Sequence, residues 1–147
     1  MASESFKRVF LETHNSLRSQ HGAPSLSYNS DMCTAAQAWA DTLLKKNQLE
    51  HSSTSDGENV YYSCGSGEPR GNEAVDSWYS EIKDYNFQKP GFGMNTGHFT
   101  QVVWKDSTEL GVGVATDGTT VFVVGQYRKA GNINNPGYFE KNVLPKE

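Results

Sequence analysis

Apolar positions first recur at helical spacing. Phe6, Val9, Phe10, Thr13 and Leu17 form one stripe and predict a helix from Ser5 to His21, closed by Gly22 with Pro24 beyond it. Met32, Ala35, Ala36, Trp39, Leu43 and Leu44 repeat the period and predict a second helix from Asp31 to Asn47, with Ser30 as its N-cap. Residues His51 to Gly71 are rich in Ser, Gly and Asp and read as a long loop holding a short strand or turn. Val75, Trp78, Tyr79, Ile82 and Tyr85 share a face, so a third helix is expected over Asn72–Tyr85, with Glu81 on the edge of that face. After the loop Phe87–Gly97 the pattern changes to strands. Gln101–Trp104 is short, Leu110–Ala115 alternates with glycine, and Thr119–Tyr127 carries Val121 to Val124. Asp117-Gly118 joins the last two as a hairpin. The Asn- and Pro-rich tail from Asn132 to Glu147 is expected to wrap the surface.

Helices first and an antiparallel meander last imply an α+β chain. The 147 residues suit one domain over 1–147, long enough to bury about 70% of the unfolded surface. The formal net charge is -4, and no basic run exists to follow a nucleic-acid backbone. No stretch approaches the ~18 apolar residues of a membrane span. The opening Met1-Ala2-Ser3-Glu4-Ser5 shows no signal-peptide core, and Ala2 stands where N-myristoylation needs glycine. Cys33 and Cys64 allow at most one internal disulfide, and a reducing compartment is favoured. Both are expected to be free thiols, Cys33 packed on its helix. The three tryptophans, Trp39, Trp78 and Trp104, fit core positions.

Four blocks then resemble one family. Gly97-His98-Phe99-Thr100-Gln101-Val102-Val103-Trp104 is similar to the first signature of the CAP superfamily, and Val124 to Ile133 to the second. His14-Asn15 with Arg18 resembles the family's first helix, and Gly57-Glu58-Asn59 its central motif. Trp78 to Phe87 and Asn142-Val143-Leu144-Pro145 resemble the Golgi-associated plant pathogenesis-related subgroup. The resemblance implies a three-layer α-β-α sandwich around a central antiparallel sheet. It also implies a cytoplasmic home or a peripheral one on the cytosolic Golgi membrane, with an extracellular location left open. The sequence departs from secreted members at Gly125, where they carry a cysteine, and at Lys129, where a proline is common.

By the same resemblance His51, Glu58, Glu81 and His98 line a cleft, His51 and His98 as ligands of zinc or another divalent cation and the two acids beside them. Their spacings of 7, 23 and 17 residues form no local metal motif. Neutral imidazoles suit zinc, and two of them leave positions open, so binding would be weak. The competing reading is a buried hydrogen-bond network. His14 is placed at the flank of the first stripe, with a structural bond, and His21 complements the helix C-terminus. Tyr85, Phe87 and Phe92 form an aromatic loop for lipid, sterol or a protein partner, with Pro90-Gly91 turning Phe92 toward Phe87; the alternative is that these rings pack under the helix end. A homodimer is left open. The favoured function is a non-enzymatic binding domain. The rivals are a metal-assisted or thiol/serine-dependent hydrolase, using Ser63 or Cys64, and a secreted defence or allergen-like protein. No G-x-S-x-G elbow is present, so no residue is assigned a catalytic role.

Overall fold

A computed structural model describes residues 2–64 and 69–146. Its elements in order are α1 (Glu4–Gln20), β1 (Ser27–Tyr28), α2 (Ser30–Lys46), β2 (Gly57–Cys64), α3 (Glu73–Tyr79) continued by a 3-10 turn (Ser80–Asp84), α4 (Gly97–Val102), β3 (Glu109–Thr116), β4 (Thr120–Arg128) and α5 (Tyr138–Asn142). The sheet order is β1-β3-β4-β2. The β3–β4 and β4–β2 pairs are antiparallel, while the two-residue β1 adds a parallel edge to β3. Helices cover both faces, so the expected sandwich is present with a mixed rather than purely antiparallel sheet.

Alternation along the strands assigns the layers. Val60, Ala115, Phe122 and Val124 meet Ala36, Ala40 and Leu43 of α2 on one face. Val112, Val114, Val121, Val123 and Tyr127 meet Phe10, Val75, Trp78 and Phe99 on the other. The glycines of β3 fall on the α2 face, where a Cβ at Gly113 would lie 2.4 Å from the Gln37 backbone and one at Gly111 2.5 Å from Met32. Their absence of side chains sets how closely α2 lies on the sheet. The Gln37 amide then pairs with both backbone groups of Val114, donating to its carbonyl at 2.8 Å and accepting its N–H at 3.0 Å. Beyond the short β1 this closes an otherwise open sheet edge.

Several expectations change. The buried stripe of α1 is Phe6, Phe10, His14 and Arg18, so His14 lies at its centre, not its flank. The N-cap of α2 is Asn29, whose Oδ1 accepts from the Met32 N–H, and Ser30 is already helical. Ala35 is exposed. The loop 51–71 contains a full eight-residue strand, β2, because every residue from Gly57 to Cys64 finds a register partner on β4. Gln101 and Val102 close helix α4 instead of opening a strand. His21 is buried. Its Nδ1–H donates to Leu144 O at 2.7 Å and its Nε2 accepts from Tyr79 O–H at 2.8 Å, so it ties the tail to α3 and does not act as a cation at the helix end. Burial lowers its pKa accordingly. Within the tail, α5 buries Phe139 against Trp104. Asp117-Gly118 does lie in the β3–β4 turn, with Gly118 at φ +99° and the Asp117 carboxylate accepting three hydrogen bonds from Thr119 and Thr120. Cys33 and Cys64 are free.

Candidate functional site

Helix α4 has six residues, too few to hold itself in water. Side chains from elsewhere close both of its ends. At its N-terminus Thr96 makes no side-chain cap, and the Glu81 carboxylate from the 3-10 turn takes that place. Glu81 Oε1 accepts the N–H of His98 at 2.9 Å and of Phe99 at 3.1 Å. At its C-terminus the buried Arg18 guanidinium donates to Val102 O and Trp104 O. His98, on the first turn, is thereby fixed twice. Its backbone is held by Glu81, and its Nδ1–H donates to Glu81 Oε2 at 2.9 Å. Its ring stacks on Trp78 at 6.3 Å, with the planes 8° apart. Asn59 adds a fourth restraint, donating to His98 O at 3.1 Å.

The second histidine is built the same way from different elements. Glu58 is the second residue of β2, opposite Gln126 on β4. Its side chain is 3% exposed and fully engaged. Oε1 accepts from His51 Nδ1 at 3.0 Å and from the Ser52 N–H at 2.8 Å; Oε2 accepts from Ser52 Oγ and from Gln126 Nε2. Burial alone would raise the Glu58 pKa, but the bonds from His51, Ser52 and Gln126 outweigh it and lower the pKa. The same hydrogen bond to Glu58 raises the pKa of His51, against its partial burial.

His51, Glu58 and His98 line a cleft of about 140 Å³ with Asn59, Phe92, Met94, Gly97 and Asn132. Glu81 stands behind His98. The two histidine–carboxylate pairs therefore face one space, although their members lie on four separate segments. In each pair Nδ1–H is committed to a carboxylate, and among the described residues Nε2 has no protein partner. A carboxylate on one nitrogen fixes the tautomer and makes the other nitrogen a better lone-pair donor, which is the usual arrangement behind a metal-bound imidazole. Two such nitrogens suit zinc, while among the described residues no cluster of three or more His, Cys, Asp or Glu side chains is formed. The donor set thus fits a cation held by two protein ligands and completed by water or a ligand.

Asn132 and Asn59 escaped assignment at the level of sequence. Asn132, at φ +59°, donates to Gly97 O and accepts from Thr100 Oγ1, clamping the signature loop to α4. Both lie inside the matched blocks, and that was the only signal available.

The aromatic loop divides. Tyr85 is buried, and Phe87 packs against Tyr85, Phe99 and His21. Phe92 does not turn toward Phe87. It lies against Gly97 at the cleft rim, 52% exposed, next to Met94 at 95%. Ser63 and Cys64 end β2, five and six residues along an extended strand from Glu58, so about 17–20 Å from that carboxylate's position on the strand. Within one chain that separation keeps both away from His51, which Glu58 holds.

A family model described as the cysteine-rich secretory protein family, CAP, matches residues 11–127. The chain is 45% identical over 150 residues to Golgi-associated plant pathogenesis-related protein 1 of Homo sapiens, covering 98% of this chain and 96% of that protein. It is 36% identical over 143 residues to Protein PRY2 of Saccharomyces cerevisiae, covering 95% of this chain and 41% of the yeast protein. Among solved structures, NaASP2 crystallised with Zn2+ matches at a TM-score of 0.77 and 27% identity, over 99% of this chain and 88% of that one.

Proposed function

Because the chain belongs to the cysteine-rich secretory protein (CAP) family, we propose that it is a binding domain whose cleft takes a divalent cation, zinc by preference, on His51 and His98. One observation carries this. Both histidines line the same cleft, Glu58 and Glu81 hold their Nδ1, and among the described residues neither Nε2 has a protein partner. The likeness to NaASP2, a structure solved with zinc, supports the choice of metal. The bound ion would supply a Lewis-acidic centre for a ligand oxygen; the chain itself contributes the orientation of the two imidazoles through Glu58 and Glu81. Binding is weak and reversible, since only two protein ligands are present.

Calorimetry on the wild type and on His51→Ala/His98→Ala tests this. Zinc heat that is saturable in the wild type and absent in the variant is expected; equal affinity in both overturns the reading. Proton competition fixes the pH dependence. An imidazole ordinarily titrates near 6.5, and the Glu58 bond raises His51, so affinity starts to fall at a pH above 6.5 and is lost below it.

Lipid, sterol or an apolar partner segment would be met at the cleft rim by Phe92 and Met94, the exposed large apolar side chains there. Tyr85 and Phe87 belong to the core and take no part. Liposome co-sedimentation is expected to fall in Phe92→Ser/Met94→Ser and to vary little with salt, because the net charge of -4 gives anionic lipid nothing to attract. Equal sedimentation of variant and wild type removes the rim from the account. Among the described residues no helix is long and apolar enough to cross a membrane. Residence at the cytosolic face of the Golgi membrane belongs to the same proposal; the name of the human relative supports the Golgi association alone.

A further inference from the structure

A second concavity lies on the other side of Glu58. It is an open groove of about 570 Å³ between the outer face of α2 and the loop from Ser52 to Asp56, floored by the end of β4. Volumes of this order hold small organic ligands. Trp39 forms one wall with Thr42 beside it, and Gln126 and Arg128 reach it from the sheet.

The chemistry of the lining narrows the ligand. Arg128 is a cation, but two of its three guanidinium nitrogens are taken: Nε and Nη2 donate to the two oxygens of Asp56 at 3.0 and 2.9 Å. The pair is neutral as a unit, so the groove is no anion trap. The loop is a run of hydroxyls. Ser52 is spent on Glu58, while Ser53 and Ser55 make no side-chain hydrogen bond among the described residues. Thr54 Oγ1 accepts from the Asp56 N–H, leaving its proton to donate. Gln126 is the most telling group. It is 3% exposed, and its Nε2 is bound to Glu58 Oε2 at 3.0 Å. Its Oε1 has no partner among the described residues, nor is it among the fully enclosed unpaired atoms, so it opens on the groove. An acceptor held in a nine-tenths buried side chain and reached only from the groove is a fixed polar point where a ligand donor can replace water.

We propose that this groove binds a neutral saccharide. A sugar ring offers hydroxyls to Gln126 Oε1, to the Ser53–Ser55 loop and to the Arg128–Asp56 pair, and lays an apolar C–H face on the Trp39 indole. An aromatic wall beside hydroxyls, an amide oxygen and a mutually neutralised Arg128–Asp56 pair matches this class. The proposal does not depend on the metal cleft.

Tryptophan fluorescence reads it directly. Trp78 and Trp104 are 2% and 1% exposed, so a ligand-dependent change reports Trp39. The protein is titrated in chelator with β-1,4-linked glucose and N-acetylglucosamine trisaccharides, α-linked mannotriose, and inorganic phosphate. At least one saccharide is expected to give saturable fluorescence change, with backbone amide shifts centred on residues 52–56, 126 and 128, and phosphate none. Ala35→Phe, at an exposed helix position lining the groove, fills it without touching the core and is expected to weaken binding about tenfold or more, as is Trp39→Ala. Circular dichroism confirms that both remain folded. No saturable binding of any saccharide, shifts elsewhere, undiminished affinity in Ala35→Phe, or saturable phosphate binding in place of sugar would each overturn the proposal.

Discussion

Arg18→Met is expected to lower the thermal midpoint by on the order of 10 °C, the largest effect of any single substitution considered for this chain. The guanidinium is 0% exposed. Its described partners are all backbone carbonyls: Pro24 from Nε at 2.9 Å, Val102 and Trp104 from Nη1 at 3.0 and 2.9 Å, and Ser107 from Nη2 at 2.7 Å. Burial lowers its pKa to about 10, so it stays charged at neutral pH. Four charge-assisted bonds offset the cost of placing a cation in the core. Methionine fills the volume but leaves the carbonyls of Pro24, Val102 and Ser107 unpaired, Trp104 O keeping the Ser107 N–H at 3.2 Å; each loss is worth about 1–3 kcal/mol, though not additively and less where water enters. A net loss of roughly 4 kcal/mol is a large part of the 5–15 kcal/mol that holds a domain folded. Arg18→Lys should lose nearly as much, because one ammonium cannot reach carbonyls that fan out over three segments. Urea or thermal unfolding decides it; a shift under about 3 °C in both variants contradicts the account.

Arg18 also shows why part of this site was hidden. Hydrophobic periodicity marked Phe6, Val9, Phe10, Thr13 and Leu17, whereas the chain buries Phe6, Phe10, His14 and Arg18. Periodicity weighs side chains by polarity, and two of these four are polar groups that each have partners distant in sequence, Tyr127 for His14 at 113 residues and Val102 for Arg18 at 84. The mistaken strand at Gln101–Trp104 has the same origin. Val102, Val103 and Trp104 favour extended backbone locally, and the helix exists because Glu81 and Arg18 close it from outside. In β2 the polar loop before it masked a strand that only pairing with β4 reveals.

The cleft followed a similar rule. His51, Glu58, Glu81 and His98 are separated by 7, 23 and 17 residues, and no spacing rule joins them. The family resemblance named all four, and the fold pairs them as His51–Glu58 and His98–Glu81, with both histidines on one cavity. The aromatic loop was legible only as composition. Its spacing carries no information on which rings face inward, and the core under the 3-10 turn took Tyr85 and Phe87 and left Phe92 at the rim.

Mild acid is expected to destabilise the protein well before its carboxylates titrate, and His14 is the main cause. The ring is 0% exposed between α1 and β4. Nδ1–H donates to Phe10 O at 2.9 Å, which makes Nε2 the acceptor of the Tyr127 O–H at 2.6 Å; Asn59 in turn donates to the Tyr127 oxygen at 3.3 Å. The chain of bonds is complete only for neutral imidazole. Burial, with the Arg18 charge nearby, lowers the pKa of His14 from 6.5 to about 3. A histidine depressed in the fold favours the native state fully above pH 6.5. Below that pH the unfolded chain takes up a proton that the native state refuses, so stability falls as pH drops, until the folded pKa near 3 is reached. Each such group contributes a slope of up to about 1.4 kcal/mol per pH unit, so His14 alone accounts for on the order of 4 kcal/mol across that window. His21, also lowered by burial, adds in the same direction. His51 is raised and acts oppositely, but its side chain is 61% exposed and solvent screening makes its contribution small. Equilibrium unfolding between about pH 6 and 5, above the carboxylate range, isolates the histidines. His14→Gln should be less stable at pH 7.5 yet lose about one proton's worth of slope in that interval. Parallel pH profiles for variant and wild type would show that His14 is protonated in the folded protein and that the Tyr127 bond does not hold it neutral.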